Sequence, residues 1–208
     1  MPGFPLYRTQ EEKRAAESRN GAIQALAVIH HAEEWKSGET QLTPELIKEF
    51  QRLAINQIYS CAGFFRDGHV VIQGVKHQPP PHAAVPDLVS DMCAYVNQNW
   101  AMHAVHLSSY VMWRLNWIHP FFGGNGRTSR AVSYLILSAK LGFRLPGRTT
   151  IPDQIVQRRD AYVDALQKAD AAWEEGALDV SAMEDLMSSL LAAQLVEIHK
   201  LATGKEAS

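Results

Sequence analysis

The stretch "IHPFFGGNGRTSRAV", residues 118–132, decides how the chain is read. A histidine, a proline and two aromatics are followed by three glycines, an asparagine and two arginines, with apolar sequence on both sides. Downstream, Val132, Leu135, Ile136 and Ala139 repeat at helical spacing, and Gly142 suits the helix C-cap. Upstream, Trp113 and Trp117 lie one turn apart, as do Val111 and Leu115, so residues 102–117 also read as a helix. Two helices therefore meet through a short glycine-rich connection. Glycines let backbone N–H groups turn inward as an anion-binding nest. The N-terminus of the second helix adds unpaired donors and the positive end of its dipole.

Further helices are expected on both sides. Residues 11–36 form one. Thr43 caps another that opens on Pro44 and presents Leu46, Ile47, Phe50, Leu53 and Ala54 on one face. Pro86 opens a third through Asp87, Met92 and Val96, and helices over 153–170 and 180–201 close the chain. "SGETQL" and "RLPGRTTIPD" read as loops. Between the second and third helices, Asp67-Gly68 is a turn pair. Val70, Val71 and Ile72 favour extended backbone, and Pro79 to Pro81 forbid a helix. A small β-hairpin with a rigid exit is the expectation. The fold class is mainly α, one domain over 1–208 with a core of about 11–201.

Composition narrows the function. The 208 residues carry a net charge of −2, too little to draw nucleic acid by electrostatics alone. No apolar run is long enough to span a membrane, and the N-terminus lacks the pattern of a secretory signal. Cys61 and Cys93 show no metal spacing and read as reduced structural thiols of a cytoplasmic protein. The His30, His31, Glu33, Glu34 group reads as a solvated helix face, and His103 and His106 lack a third ligand for zinc.

The chemistry of the opening stretch follows from its groups. Arg127 and Arg130 stand three apart on the first turn of the second helix, where cations are unfavourable unless an anion answers them. Asn125 can add a side-chain N–H. Two guanidiniums and several amides suit a polyphosphate. His119, just before the nest, is placed to take a proton from an incoming hydroxyl. Attack of a hydroxyl on a nucleotide phosphate is the reaction class these groups allow.

The same residues resemble the signature of the Fic family, H-P-F-x-[D/E]-G-N-G-R-x-x-R. His119, Pro120, Phe121, Gly124, Asn125, Gly126, Arg127 and Arg130 all fit it. "YSCAGFFR", "VVIQG" and "ALQKADAAWEEGALDV" also look like parts of Fic domains. The resemblance implies a Fic-type helical bundle that transfers AMP from ATP to a serine, threonine or tyrosine hydroxyl of a target protein. His119 is then the general base and Phe121 the loop's anchor in the core. Gly124, Asn125 and Gly126 form the nest, and Arg127 and Arg130 hold phosphates. Val70, Val71, Ile72, Gln73 and Gly74 form a flap that aligns a target strand. Tyr162 is carried over as lining the nucleoside pocket, although helix packing is the ordinary use of such a residue.

One position departs from the family. The fifth motif residue, an Asp or Glu that holds Mg²⁺, is Gly123 here. Metal placement should be weakened. Slow AMP transfer, use of another phosphorylated donor, and nucleotide binding without turnover all remain open. The inhibitory [S/T]-x-x-x-E-[G/N] helix of many Fic proteins has its best counterpart in "AESRNG", with Asn20 where the glutamate would be. Weak or absent intramolecular inhibition is expected unless another chain supplies the carboxylate. A homodimer is compatible with the sequence. The Doc relatives carry Lys where Arg127 stands, which argues against their phosphotransfer.

Overall fold

The computed structural model describes residues 3–35, 41–143, 145 and 149–204. Among them are eight α-helices: α1 Gln10–Trp35, α2 Pro44–Ile55, α3 Val85–Gln98, α4 Ala104–Ile118, α5 Asn125–Leu141, α6 Ile151–Gln157, α7 Arg159–Glu174 and α8 Ser181–Thr203. The mainly α architecture expected from the sequence holds. Lys36, where the first helix was expected to end, residues 37–40 of the first expected loop and residues 144 and 146–148 of the second lie outside the described residues.

Helix α4 is the axis of the molecule. Every residue from Leu107 to Leu115 is buried. It packs on α5, α3, α7 and α8, so it needs apolar side chains on all faces. One core cluster joins α1 to α5 through Phe50, Val89, Trp113, Phe121 and Leu135; a second joins α4 to α6, α7 and α8 through Met112, Leu137, Ile155, Met183 and Leu190. Arg114 is nearly buried and stacks between two indoles, with Cζ 4.3 Å from the Trp117 ring centroid and 4.4 Å from that of Trp173. That sandwich, with the Trp113 Nε1–H donating to Asp170 at 2.8 Å, locks α7 against α4.

Local signals act as read at several helix ends. The Leu46 N–H donates to Thr43 Oγ1 at 3.2 Å, and Gly142 closes α5 with φ of +72°. Two expectations need correction. The helix expected over 153–170 is two helices, broken at Arg158 (φ −104°, ψ 44°). The first begins earlier, where Thr150 and Asp153 form a capping box. The second correction is the hairpin. Val70, Val71, Ile72, Gln73 and Gly74 belong to no strand, and the sole β-bridge among the described residues joins Pro5 to Tyr59. A two-stranded hairpin has little independent stability, and this one has no third strand beside it. The segment is instead pinned at its base, where Arg66 donates through Nη1 to Gly68 O and through Nη2 to Pro80 O.

Removing the Phe121 ring, which has 0% exposure, should cost about 3–5 kcal/mol. Losing the α2 cap in Thr43→Ala should cost about 1 kcal/mol. Urea unfolding of Phe121→Ala and Thr43→Ala checks the order; equal losses would mean that the loop anchor is not part of the core.

Candidate active site

Six residues, 119–124, join α4 to α5. His119 terminates α4 in the left-handed region (φ 48°, ψ 58°), an uncommon conformation for a side-chain-bearing residue. Its N–H still donates to Leu115 O at 3.0 Å. Its ring Nδ1 lies 3.3 Å from Asn116 O. A carbonyl only accepts, so Nδ1 carries the hydrogen and Nε2 keeps its lone pair. Burial, helped by the nearby Arg66 and His77, lowers the His119 pKa from 6.5 to about 4 against the opposing pull of the Asn116 carbonyl. The ring is therefore neutral near pH 7, with Nε2 as the basic atom.

Gly124 begins the nest. It has φ of +80°, and a Cβ there would lie 2.7 Å from Ile55 Cγ2. Both facts require glycine. Gly126 is tight for a different reason, because its Cβ would lie 3.2 Å from Arg130 Nη1. The first amides of α5, beginning at Asn125, have no partners within the helix, so they face the anion position. The Asn125 side chain does something else. Its Oδ1 accepts from Phe121 N at 3.0 Å and its Nδ2 donates to Phe121 O at 2.8 Å. The amide expected to contact phosphate is thus a staple that folds the loop, and Asn125 can offer an anion only its backbone N–H.

The two arginines are employed differently. Arg127 Nη1 donates to Ala54 O at 2.8 Å, and Nη2 lies 3.8 Å from Glu17 Oε1 on α1. Arg130 is half-buried, and among the described residues no hydrogen bond or ion pair engages its guanidinium. Burial lowers its pKa, with Tyr162 and Asp153 opposing and Arg127 adding to the shift. Asn20, on α1, is only 1% exposed. Its Nδ2 donates to Asn56 O at 2.7 Å, so it is neither a surface residue nor a partner of Arg130.

Tyr162 is also corrected. Its ring is buried in the second core cluster, and its hydroxyl accepts from Asn116 Nδ2 at 2.8 Å. The same Nδ2 lies 2.8 Å from Ser129 Oγ. Tyr162 therefore supports the residue that orients His119, and is not among the residues lining the pocket beside it. The pocket beside His119 is lined by the next turns of α7, at Val163, Leu166, Gln167 and Asp170. Ile72 and Val75 close it from the flap side. It is small, about 70 Å³. His77 latches the segment over it, with Nε2 2.7 Å from Trp117 O.

Two site residues escaped sequence reasoning. Arg66, 3% exposed, donates through Nε to His119 O at 2.8 Å and through Nη2 to Ile118 O at 3.3 Å. Gln51, fully buried, donates to Gly123 O at 3.0 Å and accepts from Gly63 N at 2.6 Å. Neither stands out in the sequence, because each acts on backbone carbonyls far along the chain. Gly123 itself has open space where a Cβ would be, and no positive φ. Its one oxygen is taken by Gln51. No group of three or more His, Cys, Asp or Glu suited to a metal exists among the described residues. The site as built does not fit a protein-held Mg²⁺.

Residues 41–137 match the model of the Fic/DOC family. A protein adenylyltransferase Fic of Culex quinquefasciatus is 34% identical over 111 residues, 51% of this chain and 20% of that protein. A probable protein adenylyltransferase of Aquifex aeolicus is 29% identical over 116 residues, 56% of this chain and 32% of that protein. The chain thus spans no more than a third of either relative. In fold, it resembles a Fic domain containing signaling protein from Bacteroides thetaiotaomicron, with a TM-score of 0.78 at 19% identity, over 97% of this chain and 78% of the other. Fic-1 of C. elegans gives a TM-score of 0.67 at 19% identity, over 89% and 52%.

The depressed His119 pKa links stability to pH. Between 6.5 and about 4 the unfolded chain binds a proton that the folded chain refuses, so stability falls as pH drops through that window. His119→Asn, which tolerates the left-handed backbone, should remove roughly 3 kcal/mol of that fall. Urea titrations from pH 7 to pH 4 measure it, and parallel curves for the two proteins would show that the imidazole is not protected. Separately, Gly124→Ala should destabilise the fold by about 2–4 kcal/mol, while Gly123→Ala should change it by less than about 1 kcal/mol.

Proposed function

We propose that this chain, which carries a Fic/DOC-family domain, is a protein adenylyltransferase. In this reading it moves AMP from ATP to a serine, threonine or tyrosine hydroxyl of a target protein. The observation that carries the proposal is a neutral imidazole, its ring held by the Asn116 carbonyl and its backbone by Arg66, at the edge of a glycine nest beside a guanidinium that no described residue hydrogen-bonds or ion-pairs. His119 Nε2 takes the proton of the target hydroxyl. The oxygen bonds to the α-phosphorus, the bond from that phosphorus to the β-phosphate bridging oxygen breaks, and pyrophosphate leaves. The first amides of α5 and Arg130 stabilise the charge on the phosphates. Arg127 joins them by exchanging its exposed Glu17 contact for phosphate. Adenosine enters beside His119, against Val163, Leu166 and Asp170, once the latch at His77 opens.

The target is presented by the segment 70–74. Its backbone pairs with no neighbouring strand, so an extended peptide can dock along it by main-chain hydrogen bonds. No residue here supplies the carboxylate for Mg²⁺, so any divalent cation arrives with the nucleotide. This favours a low rate, and it gives a second reading, a nucleotide-binding module without turnover, a concrete basis in Gly123. Asn20 adds no charge at Arg130, so an inhibitory carboxylate is expected from outside the chain, such as a separate inhibitory chain. The polypeptide target and such an inhibitor are the expected partners. The described helices include none long and apolar enough to cross a membrane.

Transfer of α-phosphate label from ATP to candidate proteins tests the reading. His119→Ala should reduce labelling at least ~10²-fold. Gly123→Asp fits the open space and should raise it at least ~10-fold, as restored charge neutralisation at the phosphates requires. Tight ATP binding with no labelling by either the chain or Gly123→Asp would leave the binding module as the function.

A further inference from the structure

A second cavity lies on the far side of the arginine pair. It has a volume of about 380 Å³, and it shares no lining residue with the pocket at His119. Helices α1, α5 and α6 enclose it. Its walls are mostly apolar, formed by Val28, Ile29, Ala131, Leu145 and Val156. Pockets of this size, largely apolar with a few convergent polar groups, are the usual shape of small-molecule sites.

The polar groups around it divide sharply. Gln24 donates to Phe50 O at 2.8 Å, and Tyr134 donates to Leu145 O at 3.2 Å. The Asp153 carboxylate accepts from Thr150 N and Thr150 Oγ1 at the α6 cap. Arg127 is held by Ala54 and Glu17. Arg130 is different. The residue lines this cavity, its Nη1 reaches back to Gly126 at the α5 N-terminus, and no described residue hydrogen-bonds or ion-pairs with its guanidinium. A half-buried cation with no carboxylate in direct contact is costly, and an apolar chamber beside it offers a ligand both halves of its recognition.

We propose that this cavity binds a small apolar monocarboxylate, with its head on Arg130 and its hydrocarbon body against Val28, Ile29 and Val156. A single negative charge suits the site better than a dianionic phosphate, because Asp153 and Glu33 also stand on the cavity's border. The inference rests on the nucleotide reading in one respect: Arg130 would serve both the carboxylate and the polyphosphate. One guanidinium cannot be fully engaged by both, so each ligand weakens the other by the same factor. Occupancy of the cavity would then hold down nucleotide binding without any glutamate in the chain.

The test uses octanoate and the full chain, with binding followed by calorimetry. Octanoate should bind, and octanol and octylamine should bind at least tenfold more weakly. Ile29→Trp and Ala25→Phe, which narrow the cavity from the α1 side, should each weaken octanoate at least tenfold and leave the folded state intact by circular dichroism. ATP affinity, measured alone on the same proteins, should be unchanged. Sodium triphosphate should weaken octanoate about fivefold or more, and octanoate should weaken triphosphate equally. Octanol binding as well as octanoate, indifference to both variants, displacement by adenosine, or independence from triphosphate would each overturn the proposal. A chain that binds ATP but not octanoate retains the adenylyltransferase reading and loses this one. A chain in which triphosphate competes with octanoate but ATP never yields labelled protein retains this proposal and loses the adenylyltransferase reading.

Discussion

The turn between α4 and α5 must bring the carboxyl end of one buried helix and the amino end of another together within six residues. Everything at the site depends on how that turn is closed. Phe121 fixes its depth by sitting in the core beside Phe65, with ring centroids 5.4 Å apart. Asn125 fixes its shape by bonding both backbone groups of Phe121. His119 is left at the lip, in a backbone conformation that only strong surroundings can hold. The strained residue and the basic residue are the same one, and burial of the turn supplies both the strain and the lowered pKa.

A closed turn alone would not aim the imidazole. Arg66 reaches from the preceding segment and donates to successive carbonyls, Ile118 O and His119 O, that α4 cannot satisfy internally. The same guanidinium grips Gly68 and Pro80, so the 70–74 segment and the turn between α4 and α5 share one anchor. Gln51 does the equivalent from α2 at Gly123. The site is therefore built on backbone carbonyls tied by two buried side chains, and a displacement of the flap is felt directly at His119.

Electrostatically, the arginines form an unequal pair. Arg127 leans on α2 and α1, where Ala54 and Glu17 moderate its charge. Arg130 lines the cavity between α1, α5 and α6, and Asp153 acts on its charge only at a distance, with no hydrogen bond or ion pair to its guanidinium among the described residues. Helix α1 brings Asn20, Gln24 and Val28 against the rest and so walls one side of Arg130. Because Asn20 is neutral and turned toward α2, α1 contributes shape and a buried polar tie at this point, and no charge.

The sequence by itself determined what periodicity and local chemistry can specify. The amphipathic spacing, Thr43 and Pro44 at one helix start and Gly142 at one helix end placed most helices. The cluster from His119 to Arg130 marked the candidate site, because the glycines, the imidazole and the guanidiniums lie within twelve consecutive residues. Three things were decided by tertiary structure alone. The 70–74 segment has strand-forming residues but no neighbouring strand, so its propensity goes unused. Tyr162 is recruited beneath Asn116 and Ser129, and Asn125 is turned inward onto Phe121, because packing chose which polar atoms meet. Arg66 and Gln51 became site residues through carbonyls more than fifty residues away in the chain. No local pattern encodes such a contact, since any carbonyl is chemically like any other until folding brings one within reach.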